Sequence, residues 1–141
     1  MCYRVERAFS FAAAHYLRLD YSSPCARLHG HNWNVVVAIE APRLDANGMV
    51  CDFSRIKQTV VERFDHRSLN DDVEALATAN PTAENIAKTI ADLLDAELRS
   101  AGNGAFVRRV DVEESPGAVA SFIRDAAEAE AERKTETEAA R

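Results

Sequence analysis

The sequence has few cysteines, no long apolar run and no concentration of positive charge. Three cysteines occur among 141 residues, and an odd number at wide spacing does not form a disulfide framework. No apolar stretch approaches the roughly 18–20 residues of a membrane span, and the first residues lack the apolar core of a signal peptide. A net charge of −6 with scattered basic residues argues against nucleic acid or an anionic membrane as the partner. We therefore expect a cytoplasmic protein with reduced thiols, which binds neither nucleic acid nor membrane.

The alternation of apolar and polar residues predicts three consecutive strands in the first part of the chain. Residues 3–15 alternate with the period of a strand, and so do residues 29–39. Residues 16–28, between these two segments, are predicted to form a loop. Residues 45–48 contain an Asn-Gly pair typical of a hairpin turn, so residues 49–51 are expected to begin a returning strand.

Two helices and a last strand are predicted in the second part. Asp52 is a suitable N-cap for a first helix whose apolar residues recur every four positions. A second helix opens at residues 80–82 and ends at Gly102 or Gly104, and residues 106–114 form the last strand. This order predicts an α+β domain in which a four-stranded antiparallel sheet carries two helices on one face.

The length and composition predict one domain followed by a tail. A chain of 141 residues with 47% hydrophobic residues is typical of a single globular domain. From residue 124 onward there is no large apolar side chain, so this segment has helix propensity but no face to bury. We expect a domain of residues 1–122 and an Ala/Glu-rich tail of residues 123–141, which is either a frayed helix or disordered.

Three histidines predict a metal site. His29 and His31 are separated by one glycine, so on a strand both imidazoles point to the same face. His15 ends the preceding strand and supplies a third nitrogen. Three histidines without a fourth protein ligand describe an open, catalytic zinc site better than a closed structural one. Zinc is the default ion, with nickel and iron as alternatives, and the competing interpretation is three ordinary polar residues at strand ends.

Cys25 is the candidate reactive thiol. It precedes the two histidines in a polar loop, where Arg27 and a nearby metal ion would favour the thiolate. A thiolate that lies near zinc but is not bound to it is a base or a nucleophile. The alternatives are a buried structural cysteine, which is the usual role of a lone cysteine, and a metal ligand that closes the site.

Two further positions have a functional and an ordinary interpretation. His66, beside Asp65, is either a general acid/base oriented by a carboxylate or a helix C-terminal histidine favoured by the helix dipole. Glu114 has the core-facing parity of the last strand, where a carboxylate needs a partner. A ligand with an amidine-like or guanidine-like edge would provide a paired, charge-assisted hydrogen bond.

Taken together, these motifs resemble the 6-pyruvoyltetrahydropterin synthase / 6-carboxy-5,6,7,8-tetrahydropterin synthase family. The resemblance covers residues 5–122 and keeps the motifs in the family's order. The matching segments are Phe11-Ala12-Ala13-Ala14-His15, Cys25-x-x-x-His29-Gly30-His31, Asp52-Phe53-x-x-Ile56-Lys57, Asp65-His66-x-x-Leu69-Asn70, Pro81-Thr82-x-Glu84 and Val110-x-Val112-x-Glu114-Ser115.

The resemblance implies a fold, an assembly and a cofactor. The family has the tunnelling fold, in which sheets from three subunits close a β-barrel and two barrels stack into a hexamer, a dimer of trimers. Its substrate is 7,8-dihydroneopterin triphosphate and its cofactor is zinc, which by motif would be held by His15, His29 and His31. Its active sites lie between subunits, so catalytic residues are expected from different chains.

The resemblance also implies roles for the remaining site residues. Cys25 would be the proton-abstracting base, and Asp65 with His66 would form a relay that returns protons. Glu114 would anchor the 2-amino and N3 edge of the pterin, with Thr82 nearby in the pocket.

The spacing around the thiol favours one branch of the family. Three residues separate Cys25 from His29, which is typical of the bacterial carboxy enzymes, whereas animal pyruvoyl enzymes usually carry a longer insert. The implied reaction forms 6-carboxy-5,6,7,8-tetrahydropterin with release of acetaldehyde and triphosphate, on the route to 7-deazapurines such as queuosine. The alternatives are the pyruvoyl reaction, a metal-dependent pterin-binding module without turnover, and a purely structural zinc.

Overall fold

A single mixed sheet with helices on one side organises the chain. The computed structural model describes residues 1–141, and the sheet has the strand order β3-β1-β2-β4-β5. The strands are β1 (Tyr3–His15), β2 (His29–Ala41), β3 (Arg67–Ser68), β4 (Phe106–Ser115) and β5 (Ala118–Ile123). The helices are α1 (Phe53–Phe64), α2 (Leu69–Asp72), α3 (Glu74–Thr78), α4 (Ala83–Leu98) and α5 (Ala126–Ala139), with 3₁₀ turns at Pro24–Ala26 and Arg99–Ala101. The predicted α+β class is confirmed.

Strands β1 and β2 form the long antiparallel ribbon to which the other strands are added. Their register pairs Tyr3 with Ala41 at one end and His15 with His29 at the other. Alternate residues such as Phe11 and Trp33 are buried against the helices. Because side chains alternate across a strand, the histidines at the far end of the ribbon share this buried face.

The two long helices begin at the predicted caps. The Asp52 carboxylate accepts a hydrogen bond from the Ser54 amide at 2.7 Å, and the Thr82 hydroxyl accepts one from the Asn85 amide at 3.2 Å. Side-chain acceptors satisfy amide donors that have no partner within the helix. The apolar stripe of α4 is buried and includes Ile86, Ile90 and Leu94. None of the helices has the length and apolar character needed to cross a membrane.

The predicted returning strand at residues 49–51 is wrong. The turn before it exists, with Gly48 at φ 77°, but the chain then enters the cap of α1 without pairing to the sheet. The Asp45 carboxylate accepts hydrogen bonds from the Asn47 and Met49 amides at 2.8 and 3.0 Å. These bonds close the loop locally, so the backbone has no need of a partner strand.

The fourth antiparallel strand is instead β5, which sequence reasoning missed. It turns back from β4 at Gly117, whose φ is 82°, and pairs antiparallel with β4 from Ala118 to Ile123. None of its residues is fully buried, and its apolar side chains lie on both faces of the strand. A two-residue strand, β3, was missed as well, and it pairs with β1 in the parallel sense.

The C-terminal segment is helical and lies against the domain. Helix α5 begins with a capping box formed by Asp125 and Glu128, and only Ala129 is buried. Its attachment is mainly polar: Arg124, 5% exposed, pairs with Asp95 of α4 and with Glu132 of α5. The tail is thus a capped helix, and charged contacts take the place of the apolar face that the sequence lacks.

Candidate metal and catalytic site

Four ligand side chains meet at one end of the sheet. His15 ends β1, His29 and His31 begin β2, and Glu114 lies near the end of β4. One ligand atom from each residue lies within 4.8 Å of the ligand atoms of the other three. The imidazole centroids are 4.6 Å apart for His15 and His29 and 4.9 Å apart for His29 and His31. The three histidines predicted from the sequence are therefore together, with a carboxylate beside them.

Backbone carbonyls orient two of the imidazoles. His15 Nδ1 lies 2.8 Å from the Pro81 carbonyl oxygen, and His29 Nδ1 lies 2.6 Å from that of Arg27. A carbonyl can only accept, so each Nδ1 carries the proton and the Nε2 of a neutral ring keeps its lone pair. Burial lowers the pKa of His15, although the Pro81 carbonyl opposes this effect. The buried ring is consequently held neutral, with Nε2 available as a ligand.

The cluster leaves ring nitrogens without hydrogen bonds. The Nε2 atoms of His15 and His31 are both buried and have no hydrogen-bond partner. His31 Nε2 is 3.0 Å from Glu114 Oε1, but the angles are not those of a hydrogen bond. Buried polar atoms without partners are uncommon in folded proteins. A divalent cation with an affinity for imidazole would satisfy them, so these residues fit a transition-metal ion.

Trp33 forms the floor of the cluster, which sequence reasoning did not identify. The side chain is fully buried, and its Nε1 donates to the Ala13 carbonyl at 3.2 Å. The indole meets the rings of His15 and His31 edge-on, at centroid distances of 4.9 and 5.1 Å. Its parity with His31 on β2 was the available signal, because residues two apart on a strand share a face.

Cys25 lies outside the four-residue cluster. It sits in the 3₁₀ turn Pro24–Ala26, is half-buried, and belongs to neither a disulfide nor the ligand group. Its backbone is anchored, since the carbonyl accepts from the Leu17 amide at 2.8 Å and the amide donates to the Ser23 hydroxyl at 3.2 Å. Within this chain the thiol is therefore free and is separate from the four grouped side chains.

Asp65 and His66 are in contact at the C-terminal end of α1. His66 Nδ1 lies 2.9 Å from Asp65 Oδ2, while the second carboxylate oxygen accepts from the Ala12 amide at 2.9 Å. Hydrogen bonds to the Asp65 carboxylate lower its pKa. The Ala12 amide has the largest effect, and the His66 side chain has the next largest. The carboxylate thus joins the imidazole to strand β1, three residues before His15.

His66 projects into solvent from an unusual backbone position. Its φ is 58°, its amide donates to the Ala12 carbonyl at 2.6 Å, and its side chain is 83% exposed. Left-handed backbone is uncommon outside glycine and indicates local constraint. His66 and His31 line the same open cavity of about 560 Å³. A ligand in this cavity would meet both imidazoles, even though His66 is not part of the ligand cluster.

Thr82 contributes to the site indirectly. Its hydroxyl caps α4, and it follows Pro81, the residue whose carbonyl holds His15. The structure does not place it among the four ligands.

Cys51, in contrast to Cys25, has the properties of an inert thiol. Burial, together with the Asp52 and Asp45 carboxylates, raises the pKa of Cys51 to about 11. At pH 8 about one thiol in a thousand is then ionised, compared with about a quarter for a thiol of reference pKa about 8.5. We expect iodoacetamide to label Cys51 at least about a hundredfold more slowly than the exposed Cys2, as measured by peptide mapping. Equal labelling rates in the folded protein would contradict this, and equal rates in guanidinium are the control.

The comparisons with known proteins all identify relatives in one family of pterin synthases. The family model described as 6-pyruvoyl tetrahydropterin synthase matches residues 4–125. The 6-carboxy-5,6,7,8-tetrahydropterin synthase of Bacillus subtilis (strain 168) is 31% identical over 117 residues, which cover 81% of this chain and 80% of the relative. A putative enzyme of the same name from Archaeoglobus fulgidus is 40% identical over 109 residues, covering 75% of this chain and 83% of the relative.

A solved structure supports the same relationship. The 6-pyruvoyl tetrahydropterin synthase of Caenorhabditis elegans has a TM-score of 0.70 at 27% identity, over 89% of this chain and 97% of the other. The family match spans almost the whole of the sheet and helices described above, including all four members of the ligand cluster. The chain belongs to the 6-pyruvoyl tetrahydropterin synthase family.

Proposed function

We propose that this protein is a zinc-dependent lyase that converts 7,8-dihydroneopterin triphosphate to 6-carboxy-5,6,7,8-tetrahydropterin, releasing acetaldehyde and triphosphate. The observation that carries the proposal is the group of three imidazoles and one carboxylate, in which two Nε2 atoms are buried and unpartnered. The carboxy reaction is favoured by the three-residue spacing between Cys25 and His29, and by the name of the Bacillus subtilis relative.

Each site residue then has a chemical role. His15, His29 and His31 would hold the zinc ion, which would act as a Lewis acid toward the substrate's side-chain hydroxyls. The Cys25 thiolate removes a proton from the substrate carbon that is activated next to these hydroxyls. His66, oriented by Asp65, relays protons to and from the side chain of the substrate.

The pterin ring is recognised by the carboxylate that lies beside the three imidazoles. Glu114 pairs with the 2-amino and N3 edge, using both carboxylate oxygens for a planar, charge-assisted contact. Thr82, the N-cap of α4, is the second residue that we assign to the pterin pocket.

The assembly we propose is a homohexamer, a dimer of trimers in the cytoplasm, with active sites between subunits. The separation of residues within one chain supports shared sites, because Cys25 lies outside the ligand cluster and His66 is mostly exposed. The sheet also ends in an unpaired outer edge at β5 and in only two residues at β3. Sheet edges of this kind are closed in many proteins by pairing with another chain. The product would enter the route to 7-deazapurines such as queuosine.

Product analysis tests the proposal directly. Purified protein loaded with zinc is incubated with 7,8-dihydroneopterin triphosphate, and the pterin, triphosphate and acetaldehyde are quantified. We expect acetaldehyde and triphosphate in equal amounts, and no turnover after the metal is removed with a chelator. Triphosphate without acetaldehyde would instead support the pyruvoyl reaction, which the Caenorhabditis elegans neighbour's name also allows. Pterin binding without any product would indicate a non-catalytic binding module.

A further inference from the structure

We propose that Glu114 is an exchangeable metal ligand, which binds the ion in the free protein and leaves it when a pterin ring pairs with the carboxylate. This inference rests on the proposed function and adds a coupling between substrate recognition and the coordination of the metal. It assigns two successive partners to one side chain.

The position of the carboxylate supports coordination of the metal ion in the free protein. Glu114 Oε1 is 3.0 Å from His31 Nε2, and one of its oxygens belongs to the group of atoms within 4.8 Å of one another. The side chain is 27% exposed, and no lysine or arginine nitrogen lies within 4.0 Å of it. A largely desolvated carboxylate needs a compensating positive charge. In the free protein a metal ion held by the three imidazoles is the charge that this geometry provides.

The number of ligands supports the exchange. Three imidazoles and one carboxylate make four protein ligands, which is the complete set of a closed tetrahedral zinc site. A catalytic site keeps one position open for water or substrate. If Glu114 stayed on the metal, that position would be filled. If it were only a pterin anchor, the free protein would hold an unpaired carboxylate against the ligand nitrogens.

The two partners compete for the same oxygens. Pairing with an amidine-like edge uses both carboxylate oxygens in one plane, as in bidentate arginine–carboxylate contacts. An oxygen that coordinates a metal ion cannot make the same contact at full strength. Binding of the pterin ring would therefore free a coordination position at the moment when the substrate's side chain is close enough to occupy it.

The neighbouring glutamate is a matched control. Glu113 lies on the opposite face of β4, where its Oε1 accepts a hydrogen bond from the Asn34 side-chain Nδ2 at 3.0 Å. The strand register shifts between Glu113 and Ser115, at the point where Glu114 turns into the cluster. The two side chains have the same chemistry and adjacent positions, but only Glu114 belongs to the group of candidate ligands.

The test uses the full chain loaded with Co²⁺, whose visible absorption reports the number and type of ligands. Unsubstituted pterin is the probe, because it carries the guanidine-like edge but no side-chain hydroxyls that could bind the metal. In the wild-type protein we expect saturating pterin to change the Co²⁺ spectrum. The Glu114→Gln variant should show an altered spectrum without pterin and bind Zn²⁺ at least about tenfold more weakly. The Glu113→Gln variant should behave as the wild type in both measurements.

Two outcomes would overturn the inference. One is a wild-type spectrum unchanged by pterin at saturation, a measurement that needs no variant and therefore does not depend on the folding of Glu114→Gln. The other is a Glu114→Gln protein with wild-type spectrum and Zn²⁺ affinity. Failure of the proposed function is distinguishable: spectral exchange without turnover would remove the reaction and keep the ligand exchange. Turnover without a pterin-induced change in the Co²⁺ spectrum would remove the ligand exchange and keep the reaction.

Discussion

Replacement of Cys25 with alanine is expected to lower turnover of 7,8-dihydroneopterin triphosphate by about a thousandfold, with the bound metal retained. A positioned acid or base typically contributes 10²–10⁴-fold to a rate. The metal should remain because Cys25 is outside the four-residue ligand cluster. The measurements are the steady-state rate and the zinc content per chain.

The control for this prediction is Cys2→Ala, because Cys2 is exposed and precedes β1 at the end of the strand opposite to His15. It should keep both the wild-type rate and the wild-type metal content. Loss of zinc in Cys25→Ala would mean that the thiol is a metal ligand in the assembled protein. A wild-type rate in Cys25→Ala would show that another group removes the proton, or that the protein carries out a different reaction.

Removal of either partner of the Arg124–Asp95 pair is expected to lower the free energy of unfolding by about 3–5 kcal/mol. Both side chains are buried, with 5% and 7% of their surface exposed. The Asp95 carboxylate also accepts from the Val107 amide at 2.9 Å, and Arg124 Nε donates to the Val107 carbonyl at 2.9 Å. Each alanine variant would leave a buried charge without its main partner. The loss is a large fraction of the roughly 5–15 kcal/mol that stabilises a typical domain.

Denaturant unfolding of four proteins measures this effect. Arg124→Ala and Asp95→Ala are compared with the double variant, which should lose less than the sum of the single losses because it leaves neither charge unpaired. Lys134→Ala is the control: Lys134 pairs with Glu130 on the surface of α5, where the change should stay within about 0.5 kcal/mol. Additive losses, or single losses below about 1 kcal/mol, would contradict the prediction.

The same pair explains why the tail could not be predicted from its own residues. Segment 124–141 has no apolar stripe, so its sequence indicates a helix without a docking face. The docking comes from Arg124, whose partner Asp95 lies on α4, and from Arg133, which donates to the Ala105 carbonyl. An ion pair between distant segments leaves no periodic signal in either of them. The domain boundary after residue 122 stays a prediction, since this contact crosses it.

The strand errors have a similar origin. Residues 49–51 have strand-like composition, but Asp45 closes the loop by local hydrogen bonds. Strand β5 exists because β4 offers an unpaired edge directly after the turn at Gly117. Strand formation depends on an available partner, which is a property of the assembled sheet.

The candidate metal ligands follow from the order of residues along the chain, because strand alternation is a local rule. Once residues 3–15 and 29–39 are strands, His15, His29 and His31 must share the buried face with Trp33. That Glu114 joins them is a consequence of the three-dimensional fold. Its place depends on the pairing of β4 with β2 and on the register shift beside Ser115. Pairing and register are set by the packing of the whole sheet, so the spacing of residues along one strand cannot reveal them.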